Sequence, residues 1–425
     1  MNYASQREQI YAPLRKQGIF SWDFLYGQEY ALASTCRISP ADCSELAYAT
    51  ERLGVIFAKT IAVVQRGSDS LLAELGLPAN AFPAVRLTLM PEIPTLIGRF
   101  DFARTMNGWK MLEFNADTPG GIVEAYHVNG EVCRYYGSQD PNEKSKSDLQ
   151  GAFVEAAASF AGKGYSINQI VFSALDWHAE DLGTVRYLQK ESGLNAYFCP
   201  LADLRVYRDR LCALLDGEMV PIDLWYRLHP LGVLSEETDQ DGYPTGAHVL
   251  DLMARRKVAV LNPPSALIAQ TKALQALIWN LYEKKEFFSL PEREIITQYM
   301  LPTYLENRFA GKSPHVIKPA LGREGGGITI FGPEGGLLQQ SPEQAYRNQI
   351  MVFQQYVEME TVVVETLAGR RQGFAVWGSF LINGKASAVN IRVGGRITDD
   401  MAYFWPVIFA DKKENERDGN GSAVD

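Results

Sequence analysis

The sequence is poor in the residues that build cross-links and soft metal centres. Five cysteines (Cys36, Cys43, Cys133, Cys199, Cys212) are scattered over 425 residues, odd in number and without a CxxC pair. That argues against a disulfide framework and for free thiols in a reducing compartment. Five histidines (His127, His178, His229, His248, His315) show no HxxxH or similar spacing, so zinc is not expected. Lys and Arg number 41 against 50 Asp and Glu, and the net charge of −9 disfavours a nucleic-acid backbone as main partner. No window approaches the uninterrupted apolar run of about 18 residues that a membrane span needs. The opening residues, MNYASQREQIYAPLRKQ, lack the apolar stretch of a signal peptide, and a cytoplasmic location is the expectation.

What is present is a globular composition, 46% hydrophobic and 21% charged, in a chain long enough for two or three units around a large core. The first hundred residues read as helical. Ser39-Pro40 forms an N-cap with proline at the first helical position, and Leu46, Ala49, Leu53, Ile56, Phe57, Ile61 and Val64 follow at helical spacing. Residues 86–116 read as strands. In the middle, IVFSAL (170–175), a helix closing on Gly193, NAYFCPL and VPIDLWYRL (220–228) alternate as in a small parallel α/β sheet of unspecified strand order. Further on come a helix around Gln270–Lys284, a strand–glycine loop–strand unit, MVFQQYVEM, a hairpin turning at Asn383-Gly384, and AYFWPVIF. The tail, DKKENERDGNGSAVD, has no apolar periodicity and is expected to be disordered.

Two segments carry the chemistry. In IGRFDFARTMNGWKMLEFNAD, a two-residue turn at Asn107-Gly108 would set Asp101 opposite Phe114. A three-residue loop, Met106-Asn107-Gly108, instead sets Asp101 opposite Glu113 and Arg99 opposite Asn115. On the other face Phe100, Phe102, Leu112 and Phe114 would then pack together. Two carboxylates and an amide oxygen side by side suit a hard cation such as Mg²⁺, and an arginine alongside suits phosphate. A solvated hairpin face with a cross-strand salt bridge is the plain alternative.

The second segment is VIKPALGREGGGITIF. Lys318 stands at a strand end, and Gly322 with Gly325-Gly326-Gly327 can bring backbone N–H groups over phosphates. The loop lies between strands, so it is neither a Walker loop nor a Rossmann turn. AGKS (310–313) imitates a Walker ending, but Glu306 stands where that motif requires glycine.

Taken together, RFD (99–101), EFNAD (113–117), KPALGREG (318–325), VFQQYV (352–357) and NIRVGGRITDDMAYFWPVI (390–408) resemble the synthetase domain of the glutathionylspermidine synthase family, whose fold is related to eukaryotic glutathione synthetase. The resemblance implies an α/β ATP-grasp fold with α+β elements, a central preATP-grasp-like parallel sheet and a glycine-rich lid loop. It implies three parts: a helical and metal-hairpin part (1–164), an α/β substrate subdomain (165–262) and a nucleotide-binding and lid part (263–408), with a tail from 409 to 425.

The activity it implies is an ATP- and Mg²⁺-dependent ligase that joins a carboxylate (a glutathione-like peptide or an amino acid) to an amine through an acyl phosphate. Asp101, Glu113 and Asn115 resemble the metal ligands, Arg99 the arginine at the transferring phosphate, and Arg392 a catalytic arginine. Lys272 and Lys318 resemble the ATP lysines, Glu324 and Gly325 lie in the covering loop, and Gln355, Tyr356 and Val357 match the adenine hinge. Thr118 falls where the family contacts the acid. Glu180, in DWHAED, lies where acidic residues gather near the substrates, although an acidic helix N-terminus explains it equally well. Arg227 is weighed between carboxylate binding and a structural ion pair. The family's two-function members carry an amidase domain that does not fit here, so the chain is similar to the synthetase-only members. The expected partners are small acids and amines, with a homodimer left open. The rival readings are an ATP-binding protein or ATPase without ligation, and a phosphotransferase.

Overall fold

The computed structural model describes residues 2–343, 346 and 348–410; of the expected tail, residues 411–425 lie outside the described residues. The largest sheet is antiparallel, in the order Tyr403–Phe404, Lys385–Gly394, Gly369–Ile382, Ile97–Thr105 and Gly108–Asn115, with Thr361–Thr366 paired to the start of the long strand. Its long hairpin turns at Asn383 and Gly384, as the sequence predicts, with the positive φ values (47° and 78°) that a tight hairpin requires. Helix Pro40–Val64 covers one face. It starts as predicted, the Ser39 hydroxyl accepting from the Asp42 N–H. Phe57 packs edge-on against Phe100 and Phe114 at 5.5 and 5.1 Å between centroids, and those two rings stack at 3.8 Å.

The hairpin reaches the expected register by a different route. Arg99 pairs with Asn115 and Asp101 with Glu113, but Thr105 pairs with Gly108, leaving only Met106 and Asn107 in the turn. A bulge between Asp101 and Phe102 supplies the missing residue on the second strand. The packing therefore differs from expectation: Met111, fully buried, takes the core position expected of Leu112, while Leu112 turns toward the cleft.

The middle of the chain forms a parallel sheet in the order Ala259–Leu261, Leu224–Arg227, Ile170–Ser173 and Ala196–Phe198. The chain order reverses between Ile170–Ser173 and Leu224–Arg227, and the crevice beyond the carboxyl ends of two such strands is where open α/β sheets bind ligands. The single strand expected over 220–228 is two. Glu218–Pro221 belongs to a separate antiparallel sheet with Leu204–Tyr207 and Arg210–Leu215. The break has a cause: Asp223 turns back to accept from Ser166 Oγ and from the N–H groups of Asn168 and Gln169. A five-stranded antiparallel sheet runs Thr303–Tyr304, Met351–Gln355, His315–Pro319, Thr329–Phe331, Leu337–Gln340. All five cysteines are free, and no helix of the described residues is long and apolar enough to cross a membrane.

Candidate active site

The large antiparallel sheet, the parallel sheet and the five-stranded sheet meet at a cleft of about 770 Å³. Arg99, Asp101, Glu113, Asn115, Thr118, Glu180, Lys272, Lys318, Glu324, Gly325, Gln355, Tyr356, Val357 and Arg392 all line it, although they span nearly 300 positions of sequence. Arg227 does not. Its side chain is fully buried and pairs with Asp117, whose other oxygen accepts from the Leu231 N–H at 2.8 Å. The substrate-gripping alternative for Arg227 thus gives way to the structural one: its guanidinium is taken up by Asp117 and by the His229 carbonyl, away from the cleft lining.

At the centre, charges alternate. Arg99 grips Asp101 with two bonds of 2.6 and 3.0 Å, and Arg392 reaches the same carboxylate at 2.8 Å. Glu113 meets Lys272 at 3.2 Å. Burial alone would raise the Glu113 carboxyl, but Lys272, Lys318 and Arg392 hold it down at about 2, so it is ionised at any working pH. Asn115 Nδ2 lies 3.1 Å from Asp101 Oδ2 and 3.5 Å from Glu113 Oε1. Arg99, Lys272, Lys318 and Arg392 thus surround only two carboxylates, leaving positive charge for an anion such as a polyphosphate.

Lys318 is buried and donates to Gln354 Oε1 at 2.7 Å and to the Leu112 carbonyl at 3.2 Å. That carbonyl is on the bulged strand, so the irregularity in the hairpin also seats the lysine. Burial pushes the ammonium down to about 8, with Lys272 adding to the shift and Glu113 and Asp101 opposing it. Gln354 is not among the residues that the motifs select. It is held by Gln275 and Thr303, each at 3.2 Å, and orients Lys318 from the buried side of its strand. Its period-two phase with the apolar Val352 was the available signal: a polar residue in a buried strand register.

The loop after Lys318 needs its glycines. Glu324, Gly325 and Gly327 have φ of 51°, 72° and 72°. A Cβ at Gly325 would stand 2.6 Å from the Thr398 carbonyl. Across the cleft, Val316, Ile328, Ile330, Met359 and Val376 join Tyr356 and Val357 in an apolar slot suited to a flat ring. The Gln355 and Tyr356 N–H groups are already bonded, to Pro302 and Pro314 carbonyls.

Among the described residues no three or more His, Cys, Asp or Glu side chains gather as a metal cage. Asp101 and Glu113 instead converge on one amide, and turning that amide would present its oxygen to the same point. Such a set fits Mg²⁺, which is held by one or two carboxylates while substrate phosphates and water complete its shell.

Comparison with known proteins agrees with this architecture. The family described as glutathionylspermidine synthase preATP-grasp matches residues 1–410. A Haemophilus influenzae protein carrying an acid–amine ligase designation is 28% identical over 327 residues, covering 74% of this chain and 75% of its own length. The Escherichia coli bifunctional glutathionylspermidine synthetase/amidase is 22% identical over 329 residues, 73% of this chain and 50% of that protein. The Crithidia fasciculata glutathionylspermidine synthase is 22% identical over 316 residues, 66% of this chain. The chain spans only 40% of that last relative. In fold, a glutathione synthetase-like effector from Globodera pallida, in its apo form, superposes with a TM-score of 0.57 at 11% identity over 95% of this chain and 98% of its own.

Proposed function

Since this chain belongs to the glutathionylspermidine synthase family, we propose that it is an ATP-dependent acid–amine ligase forming a carbon–nitrogen bond through an acyl phosphate. The observation that carries this reading is the convergence of Asp101 and Glu113, on one hairpin, with Lys272 and Lys318 from the other half of the chain. In the first step a carboxylate oxygen of the acid attacks the γ-phosphorus of ATP and ADP leaves. In the second the amine attacks the acyl carbon and phosphate leaves. Lys272 and Lys318 neutralise the nucleotide phosphates, and Arg99 and Arg392 stand where charge develops during transfer. Bound by Asp101, Glu113 and Asn115, Mg²⁺ would supply Lewis-acid stabilisation of that charge.

The apolar slot takes adenine, the loop through Glu324 and Gly325 keeps water from the acyl phosphate, and Thr118 and Glu180 face the acid and the amine. The metal hairpin, the α/β subdomain and the nucleotide-binding part divide the work at about residues 164 and 262. Trapping tests the chemistry: ATP, Mg²⁺, hydroxylamine and a screen of glutathione, peptides and amino acids yield an acyl hydroxamate if the reading is right. A stable phosphate ester indicates a kinase, and phosphate release without hydroxamate an ATPase.

Two results are expected at the nucleotide. Gly325→Ala places a Cβ against Thr398 in a left-handed conformation, at a cost of about 1–2 kcal/mol for the backbone alone, so the KM for ATP rises about tenfold and the thermal midpoint falls slightly. An unchanged KM means that the loop does not cover ATP. Lys318 is the other. In the free protein it loses its charge as pH rises through about 8, so ATP affinity measured by calorimetry falls by up to about tenfold per pH unit above that point. Lys318→Met removes this dependence; a dependence that survives in the variant belongs to another group.

A further inference from the structure

Gly120 and Gly121 separate two opposite charge fields. On one side Arg99 donates to the Gly120 carbonyl at 2.6 Å. On the other, a Cβ at Gly120 would sit 3.3 Å from Glu180 Oε1, so the carboxylate lies directly against the backbone that holds the arginine. A side chain there would push the Glu180 carboxylate back by a few tenths of an ångström. Glu180 stands in the first turn of helix Ala179–Glu191 and lines the cleft; its carboxylate makes no hydrogen bond or ion pair among the described residues.

Two buried polar groups beside it also lack partners. Thr184, one turn along the same helix and 1% exposed, lines the cleft with its hydroxyl unbonded. Glu124, fully buried, accepts from Trp22 at 2.8 Å and Tyr30 at 3.0 Å through one oxygen only; the other has no partner. Unsatisfied groups of this kind are rare in folded proteins and mark places where a ligand or a proton is expected.

We infer that Glu180 is the general base of the second half-reaction, accepting a proton from the ammonium of the incoming amine. This rests on the ligase reading above. The ammonium N–H bond breaks and its proton passes to the Glu180 carboxylate. The freed lone pair forms the C–N bond with the acyl carbon, and the C–O bond to phosphate breaks with its electron pair. The nitrogen's second proton leaves on the departing phosphate. Glu124 acts as a positioning residue, its charge field keeping Glu180 basic.

The groups facing Glu180 are Glu124, Asp181 and His178, Glu324 of the loop, and Tyr26 and Tyr30. Burial first, then Glu124, Asp181 and Glu324, push its carboxyl up to about 8, with His178 opposing. A base in that range is matched to an amine, because proton transfer is most effective when the acceptor titrates near the operating pH.

Hydroxylamine separates this role from any other, since it is already uncharged near neutral pH and needs no base. Wild type and Glu180→Gln are supplied with ATP, Mg²⁺ and a pool of glutathione, amino acids and polyamines, with or without hydroxylamine, and amide and hydroxamate are counted by mass spectrometry. Amide formation should fall about 100-fold in Glu180→Gln while hydroxamate stays near the wild-type level. The rise in amide rate up to about pH 8 should vanish with it, and Glu180→Asp should keep the inflection with part of the rate. The inference is overturned if Glu180→Gln makes amide at the wild-type rate, keeps the inflection, or loses hydroxamate in parallel. Wild-type protein that yields neither hydroxamate nor amide overturns the ligase reading itself, and the base with it.

Discussion

Glu113→Gln is expected to lower Mg²⁺-dependent ATP turnover about 10³-fold, and Asp101→Asn at least as much. Glu113 is the cleaner of the two. Its carboxylate is ionised throughout, and its loss leaves Lys272 still bonded to the Gly322 carbonyl at 2.8 Å. The fold therefore survives, and a coupled assay of ADP release with a magnesium titration reads the chemistry alone. Asp101 is different. Arg99 and Arg392 both depend on it, so neutralising it leaves two guanidinium groups crowded without a counter-charge. Asp101→Asn should lose turnover and lower the thermal midpoint together. Near-normal turnover in Glu113→Gln would remove the metal assignment.

Arg227→Met should act in the opposite sense, on stability and not on binding. The variant strands Asp117 in a buried position and frees the His229 carbonyl, to which Arg227 also donates at 2.6 Å. Breaking a buried pair from one side costs about 3–5 kcal/mol. Denaturant or thermal unfolding should show that loss, while the ATP affinity of the protein that remains folded is unchanged. An intact midpoint with a raised KM for the acid would mean that Arg227 grips substrate after all.

How far the sequence reached depends on the range of the interactions involved. Local signals were legible: the Ser39 cap, the Asn383-Gly384 turn, and the two-residue period that puts Arg99 with Asp101 and Glu113 with Asn115. The bulge that replaces Leu112 with Met111 in the core was not legible, because a three-residue loop without a bulge gives the same pairing of Arg99 with Asn115 and Asp101 with Glu113. The split at Asp223 was hidden for a similar reason, its cause being a loop fifty residues away. Gln354, the residue that seats Lys318, sits one position before the Gln355 that the resemblance selected. Only the burial of one face of Met351–Gln355 distinguishes them. The role of Arg227 is not legible locally, because its partner Asp117 lies 110 residues away in the sequence.

The central claim is that phosphate is transferred to a carboxylate before the amine attacks. Isotope transfer tests it most directly. With an acid whose carboxylate carries oxygen-18, the account predicts that each phosphate released during amide formation contains a labelled oxygen taken from that acid. Unlabelled phosphate, with all its oxygens from ATP and water, would contradict it.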